Sequence, residues 1–322
     1  MNRRMTLTLL LFTQAALFGW CDTARAQSAS RIYSFQPFVD GASLSLIADE
    51  TTVPGRAFLG APVASHDGNW IVFDATKGRA FSATRLMKIA IAGPDKGKVT
   101  DLGYGVCASI SPDDEQIAFF LNNNSPGGEE RGIWVMNSDG SGRRRVTNGY
   151  HPHWAPDGKA LLTVTSFRSP RLVTLVDVAT GKRSHLLRNE TVLGQPAWSP
   201  DGKQIAITVK DGDDRVLCVF KPEKESTSRK ELWRHKWNQE YEETWPDWSP
   251  DGKSIVLTVW DKDVGGVIIV DVNAEAGTKP RKAGIAAASE TVRDCQWSAG
   301  GKQILFASQS ADIHARATTP SE

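Results

Sequence analysis

Two histidines and two aspartates are the side chains of this 322-residue chain that are best suited to chemistry. His151 and His153 stand two residues apart, and alternate side chains of a regular strand project to the same side. Their imidazoles could ligate one metal ion together, with a carboxylate from Asp247 or Asp294 completing the site. The alternative is that all four are hydrogen-bonding residues at the rim of a cavity, with no metal.

Signatures of other common chemistries are missing from the sequence. The chain has no Gly-x-Ser-x-Gly nucleophile motif and no glycine-rich phosphate loop. Glu242 and Glu243 are adjacent, so on a strand they point apart and do not suit the paired carboxylates of a glycosidase. The cysteines at 107, 218 and 295 lack a Cys-x-x-Cys partner, which argues against a zinc site or a disulfide framework.

A repeated six-residue motif determines where these side chains lie. Copies of the motif begin at six positions: Ala64, Ile110, Trp154, Trp198, Trp248 and Trp297. The copies at Trp198 and Trp248 both spell Trp-Ser-Pro-Asp-Gly-Lys. The aspartate position recurs at steps of 46, 44, 44, 50 and 49 residues, with Gly300 in the sixth place. A period of about 47 residues indicates a propeller or a solenoid array.

Each copy predicts a β-hairpin. Pro-Asp-Gly is turn chemistry, and apolar or β-branched residues flank it on both sides. A second strand pair follows each hairpin, so the fold class is all-β: a six-bladed β-propeller of four-stranded antiparallel blades. The chain after Ser308 is too short and polar to complete blade 6, so we expect residues 31–48 to supply its two outer strands and close the ring. The tryptophan before each turn should pack between neighbouring blades.

The repeat register predicts a binding site at the mouth of the central channel. The turns lie at one face of the disc, and the residues six and four places before each turn aspartate begin the innermost strand at the other face. Blades 1 and 2 contribute small residues there. The predicted binding residues are His151, His153, Gln195, Trp245, Asp247, Asp294 and Gln296.

The first 26 residues have the pattern of a secretory signal. Arg3 and Arg4 precede an apolar run that is too short for a comfortable membrane span, and Ala24 and Ala26 suit a cleavage site. Lipidation at Cys21 stays an open alternative. We expect a signal peptide at 1–26, a propeller at 27–310 and a polar tail at 311–322, with a periplasmic or secreted location and no membrane insertion.

The net charge and the one long insertion, between blades 4 and 5, bear on possible partners. Removal of residues 1–26 takes away three arginines and one aspartate, which changes the net charge from +1 to about −1 and gives no reason to expect nucleic-acid binding. The stretch 221–243 is long and charged, and it carries Trp233 and Trp237. It is either an extended outer strand with a solvated loop or an exposed aromatic patch for a partner.

The Trp-Ser-Pro-Asp-Gly-Lys motif followed by an apolar strand resembles the WD-like repeat of the TolB-type six-bladed propellers, over about residues 31–308. The resemblance implies protein–protein contact in the periplasm, within the Tol–Pal envelope system, with a partner lipoprotein at the propeller mouth. Full-length TolB carries an α/β domain before its propeller, and Ala26 to Arg31 leaves no room for one.

Two functional hypotheses follow. The first is a monomeric, non-catalytic scaffold that binds a protein or peptide at the mouth and uses no cofactor. The alternative is a carbohydrate-active lyase or hydrolase, metal-dependent or not, that uses His151 or His153 with Asp247 and Asp294.

Overall fold

The computed structural model describes residues 30–37, 44–56, 58–77, 83–122, 126–165, 172–187, 190–223, 228–236, 244–259, 266–275, 277–283, 285–286, 292–308 and 314–315. The regular structure in these ranges consists of β-strands. None of the described segments forms a helix with the length and apolar character needed to cross a bilayer. The expected signal peptide and Cys21 lie outside the described residues.

Blades 1 to 3 are four-stranded antiparallel sheets whose strands follow one another from the channel outwards. Blade 1 consists of β3 (Phe58–Ala64), β4 (Trp70–Thr76), β5 (Arg85–Ala90) and β6 (Val99–Tyr104). Blade 2 consists of β7 (Val106–Ile110), β8 (Gln116–Leu121), β9 (Gly132–Asn137) and β10 (Arg144–Thr147). Blade 3 consists of β11 (Tyr150–Trp154), β12 (Ala160–Val164), β13 (Val173–Asp177) and β14 (Arg183–Leu187).

Blades 4 and 5 have shorter inner strands. In blade 4, β15 (Thr191–Val192) and β16 (Ala197–Trp198) both pair with β17 (Ile205–Asp211), which is followed by β18 (Asp214–Phe220) and β19 (Lys230–Lys236). Blade 5 consists of β20 (Asp247–Trp248), β21 (Ser254–Val259), β22 (Gly266–Asp271) and β23 (Arg281–Lys282).

Blade 6 is built from both ends of the chain, which confirms the predicted closure. Its inner strands are β25 (Val292–Trp297) and β26 (Ile304–Ser308), and its outer strands are β1 (Arg31–Phe35) and β2 (Ser45–Ala48). β1 pairs with β26 in an antiparallel register from Arg31 opposite Ser308 to Phe35 opposite Ile304. Ile32 and Phe35 are buried in this sheet, so closure stabilises the ring through both hydrogen bonds and apolar contact.

One short ladder lies outside the six blades. β24 (Ile285–Ala286) pairs with β27 (His314–Ala315). Part of the segment for which only a polar tail was expected therefore forms a strand beside the connection from blade 5 to blade 6.

The repeated motif forms the turn between the first two strands of each blade. In blade 4 the Ser199 hydroxyl donates to Asp201 Oδ1 over 2.7 Å, and the Lys203 N–H donates to the same oxygen over 3.1 Å. Ser199 Oγ also accepts the Gln204 N–H at 2.9 Å. The serine hydroxyl and the backbone N–H lower the pKa of Asp201, so this carboxylate is ionised at neutral pH and holds the turn.

The motif tryptophans pack between blades, as predicted. Trp154 and Trp198 belong to one apolar cluster drawn from blades 2, 3 and 4. Trp248 belongs to a cluster that joins blades 4 and 5, and its indole Nε1 donates to Ala197 O over 3.2 Å. Each of these three indoles is buried between neighbouring blades, where its large apolar area stabilises the ring.

The insertion before blade 5 includes the extended outer strand β19. Trp233 on this strand is buried, in the cluster that joins blades 4 and 5, and it stacks on His235 with ring centroids 5.5 Å apart. Trp233 therefore does not form an exposed aromatic patch. Trp237, Glu242 and Glu243 lie outside the described residues.

Deletion of residues 31–48 should abolish cooperative folding, because it removes β1 and β2 and leaves the β26 edge and its apolar face exposed. Removal of residues 314–322 is the control, since among described residues it takes away only the two-residue strand β27. Thermal unfolding followed by circular dichroism measures both. An unchanged unfolding midpoint after the first deletion would contradict closure by the N-terminal strands.

Blade 3 provides a natural comparison for the turn serine, because Ala155 stands where Ser199 and Ser249 stand in blades 4 and 5. Ser199→Ala should lower the free energy of unfolding by about 1 kcal/mol, since it removes two hydrogen bonds. Ala155→Ser should raise it by up to about 1 kcal/mol for the reciprocal reason. Urea denaturation measures both, and equal effects of the same sign would refute the assigned role of the hydroxyl.

Candidate functional site

Four of the six innermost strands share a bulge at the position predicted to reach the channel mouth. The residues six places before the turn aspartate, or before Gly300 in blade 6, have a left-handed backbone in these four blades: Ala61 (φ 45°), Cys107 (φ 54°), His151 (φ 50°) and Asp294 (φ 53°). The pairing register shifts at each of these sites. A non-glycine residue in this region costs about 1 kcal/mol, and a bulge turns the local N–H and side chain out of the ladder.

Hydrogen bonds between blades use the groups near these bulges. Every one of the six blade interfaces contains a link from a side chain of one blade to the backbone of its neighbour, close to the channel. In order around the ring, the links are Asp294 Oδ2 to Ala61 N (3.0 Å), Asp74 Oδ1 to Cys107 N (3.2 Å), Ser109 Oγ to Trp154 N (3.1 Å), Gln195 Nε2 to Pro152 O (3.2 Å), Trp248 Nε1 to Ala197 O (3.2 Å) and Asp247 Oδ2 to Trp297 N (2.8 Å).

Three of the predicted binding residues therefore hold the ring together. Gln195 is buried and donates to the carbonyl of Pro152, while Asp247 and Asp294 accept backbone N–H groups of the next blade. Their partners show that a structural role comes first for each of them.

Three titratable side chains keep some solvent exposure although protein surrounds them: Asp74, His153 and Asp247. A side chain that faces a narrow channel has this combination of exposure and burial. Burial raises the pKa of Asp247 to about 7 and outweighs the N–H groups of Trp297 and Trp248, which lower it. Burial lowers the pKa of His153 to about 4, and the imidazole is neutral at physiological pH. Burial likewise raises the pKa of Asp74 well above its usual range.

The two histidines have different surroundings. His151 is buried, and its ring contacts Trp245 edge-on with centroids 5.3 Å apart. His153 is partly accessible, and its Nδ1 lies 3.2 Å from Trp154 O. The bulge between Tyr150 and His153 breaks the two-residue alternation on which joint ligation of a metal by the two histidines depends.

Metal ligation has little support from the wider arrangement. Across the described ranges, no three His, Cys, Asp or Glu side chains are grouped so that they could hold one metal ion. Asp247 and Asp294 direct a carboxylate oxygen at a backbone N–H of the next blade rather than at an imidazole.

Trp245 crosses the mouth from blade 5 to blade 3. The Thr244 N–H donates to Leu193 O over 2.7 Å, which lays this segment on the start of blade 4. A Cβ added at Gly194 would lie 1.9 Å from Thr244 O, so the close approach requires glycine at this position. Trp245 is half-buried in this position. Gln296, on β25 of blade 6, is half-buried as well.

Asp74 is a site residue that the repeat register did not identify, because it lies on the second strand of blade 1 and not on an innermost strand. The sequence does carry a signal for it. Asp74 is the one charged residue in the strand Trp70–Thr76, whose other positions are apolar except for Thr76. A carboxylate in such a strand needs a buried hydrogen-bond donor, and Cys107 N supplies it.

The fold is therefore that of a six-bladed β-propeller whose ring is closed by the two ends of the chain. A family model for the TolB β-propeller domain matches residues 114–320, which is more than half of the chain. The chain belongs to the TolB β-propeller domain family.

Solved structures of other propellers agree in fold. TolB from Acinetobacter baumannii matches at 15% identity with a TM-score of 0.57, over 90% of this chain and 65% of its own. A putative TolB from Agrobacterium tumefaciens matches at 18% identity with a TM-score of 0.62, over 88% of this chain and 98% of its own. Oligogalacturonate lyase from Vibrio parahaemolyticus matches at 12% identity with a TM-score of 0.50, over 89% and 99%.

These likenesses concern the fold alone. The chain spans 65% of the length of the Acinetobacter TolB. No significant match to a curated protein sequence was found.

Gly194→Ala should displace Trp245 and lower the free energy of unfolding by about 3 kcal/mol, because the new Cβ would overlap Thr244 O. Gly212→Ala in the same blade is the matched control. Its φ is +60° and nothing lies within 4 Å of the added Cβ, so only backbone strain of about 1 kcal/mol is expected. Urea denaturation measures both variants. Equal losses would show that Thr244 and Trp245 do not pack tightly on blade 4.

Proposed function

We propose that this chain is an exported, non-catalytic propeller that binds a protein or peptide at the channel mouth. The observation that carries the proposal is the state of the mouth residues. Gln195, Asp247 and Asp294 are hydrogen-bonded to the backbone of neighbouring blades, so they form a rigid rim and not a set of free acids and bases. A rigid rim favours binding, because little conformational entropy is lost when a partner docks.

Trp245 is the residue we assign as the main contact. It is half-buried, it is held over the mouth by Gly194 and His151, and a tryptophan in this setting offers a large area at small entropic cost. His153 and Gln296 are also half-buried and would extend the contact surface further into the channel.

A periplasmic or secreted location and a monomeric state belong to the same proposal. The location rests on the signal pattern of residues 1–26 and on membership of the TolB β-propeller domain family. Closure of the ring within one chain supports a monomer, since the two chain ends complete blade 6 without a second copy.

A carbohydrate-active enzyme is the second candidate, and one observation favours it. Asp247 has a pKa of about 7, so its carboxyl could exchange a proton near physiological pH at the channel. One structure of the same fold is an oligogalacturonate lyase. The bond from Trp297 N to Asp247 weakens this candidate, because it turns one carboxylate oxygen away from a substrate.

Site-specific photo-crosslinking in the producing cell tests the binding proposal. A photoreactive phenylalanine derivative at position 245 should cross-link to a partner protein, whereas the same group at Lys253, on the exposed turn at the opposite face, should not. With the purified partner, Trp245→Ala should weaken binding at least about tenfold, the usual effect at a hot spot.

Two outcomes would overturn the proposal. Equal cross-linking from both faces would show that the mouth is not the docking surface. Release of unsaturated products from oligogalacturonate by the wild-type protein, lost in Asp247→Asn, would favour the enzyme instead.

A further inference from the structure

Arg131 is an exposed arginine at one end of blade 2. It directly precedes β9, whose first residue, Gly132, lies opposite Leu121 at the end of β8. The neighbouring residue of β8, Phe120, lies opposite Val106, which begins the innermost strand β7. Arg131 therefore belongs to the end of the blade at which the innermost strand begins, the end predicted to form the channel mouth.

The guanidinium of Arg131 lies over a pair of aromatic rings. Its Cζ is 4.7 Å from the centre of the Tyr150 ring and 5.9 Å from the centre of the Phe120 ring. These two buried rings contact each other with centroids 4.7 Å apart. A guanidinium that stacks on an aromatic face is held in one orientation, and the N–H groups at its edge stay available for a planar acceptor.

The backbone at Arg131 is fixed as well. Arg145 donates to Arg131 O from Nε over 3.2 Å and from Nη2 over 3.1 Å. The indole Nε1 of Trp134 donates to Glu130 O over 2.9 Å, which holds the preceding residue. Because the backbone and the guanidinium are both held, little conformational entropy is lost when Arg131 binds a partner.

Two other arginines of blade 2 already have carboxylate partners. Arg143 Nε lies 3.4 Å from Glu129 Oε1, and Arg145 Nε lies 3.4 Å from Glu130 Oε2. The two glutamates that precede Arg131 are thus directed at other guanidinium groups. In the part of the chain that the structure describes, no carboxylate forms an ion pair with Arg131. Since an arginine is always charged, Arg131 presents an uncompensated and oriented cation.

We propose that Arg131 recognises a carboxylate of the bound partner, and that this partner is an acidic peptide segment with an apolar residue that packs on Trp245. The inference rests on the binding function proposed above and adds the chemistry of the partner. Tyr150, beneath Arg131, adjoins His151, whose ring contacts Trp245 with centroids 5.3 Å apart. The cation and the indole thus flank the start of one strand, and arginine and tryptophan are the residue types that contribute most at binding hot spots.

The groups that link the blades next to Arg131 are neutral. The link between blades 2 and 3 is the Ser109 hydroxyl, and the link between blades 3 and 4 is the Gln195 amide. The three carboxyl links described above belong to the interfaces between blades 5 and 6, 6 and 1, and 1 and 2. A carboxylate that docks on Arg131 therefore has a cation and neutral linking groups as its neighbours, which favours an acidic partner at this part of the ring.

Peptide binding to the purified protein tests the assignment. The probes are two fluorescein-labelled octapeptides, one of alternating leucine and glutamate and one of alternating leucine and glutamine, and fluorescence anisotropy measures their affinities. Wild type should bind the glutamate peptide at least about tenfold more tightly, because a bidentate ion pair adds to the apolar contact. In Arg131→Gln the two affinities should agree within about twofold. Arg131→Lys keeps the charge without the planar fork, so its preference should be intermediate.

Lys96→Gln is the matched control. Lys96 is exposed on the β5–β6 turn, at the opposite face of the disc, and its loss changes the net charge by the same amount. This variant should keep the wild-type preference. An increase in NaCl from about 50 mM to about 500 mM should reduce the preference of wild type and leave Arg131→Gln unchanged. A role limited to stacking on Tyr150 would alter thermal stability without this dependence on salt.

Three results would overturn the assignment. The first is equal affinity of wild type for the two peptides, or binding of neither, and the second is a glutamate preference that persists in Arg131→Gln. The third is Arg131-dependent binding of oligogalacturonate without binding of the glutamate peptide, which would assign the residue to an acidic sugar.

Cross-linking from position 245 in cells reports on the proposed function separately. A partner captured equally with and without Arg131→Gln would keep the binding function and refute the role of Arg131. Absence of a cross-linked partner, together with a peptide preference that depends on Arg131, would refute the proposed function and keep the carboxylate site.

Discussion

A propeller depends on the contact between neighbouring blades, because one four-stranded sheet cannot bury both of its faces alone. The apolar clusters of this protein follow the same rule. One is drawn from blades 2 to 4, and the others join blades 4 and 5, 5 and 6, 6 and 1, and 1 and 2. The apolar core is therefore a continuous ring. Pairing of β1 with β26 completes blade 6 and so closes this ring.

The repeated motif contributes to the contact between neighbouring blades in two ways. Its tryptophan covers the neighbouring sheet, and its turn packs on the neighbouring turn. A Cβ added at Gly158 would lie 3.8 Å from Pro112 Cδ, and one at Gly202 would lie 4.0 Å from Pro156 Cγ, so each glycine position faces the proline of the blade before. Blade 2 is the exception. Asp114 occupies the glycine position with φ 61°, and its bonds to His66 and Asp67 offset the backbone strain.

The sequence allowed the architecture to be predicted, because the motif encodes a local structure and its period counts the blades. The repeat register also predicts which inner-strand positions reach the mouth, and that assignment stays a prediction. The bulges could not be predicted, because Ala61, Cys107, His151 and Asp294 share no residue type and have a left-handed backbone for a tertiary reason. Asp74 was missed for a related reason: its partner, Cys107 N, lies 33 residues away in the next blade.

The inner strands of neighbouring blades contact one another around the ring. The backbone N–H groups that the bulges and strand ends turn towards the neighbouring blade still need acceptors. Short polar side chains provide them, and the choice of side chain is informative. The Ser109 hydroxyl accepts the N–H of the motif tryptophan Trp154 and carries no charge. The Asp247 carboxyl accepts the N–H of the motif tryptophan Trp297 in the same way, but it is poorly solvated there. Because a neutral hydroxyl is sufficient between blades 2 and 3, ring closure alone does not explain a carboxyl between blades 5 and 6. A partner bound at the channel mouth, as proposed above, would give this carboxyl a use that the ring itself does not require.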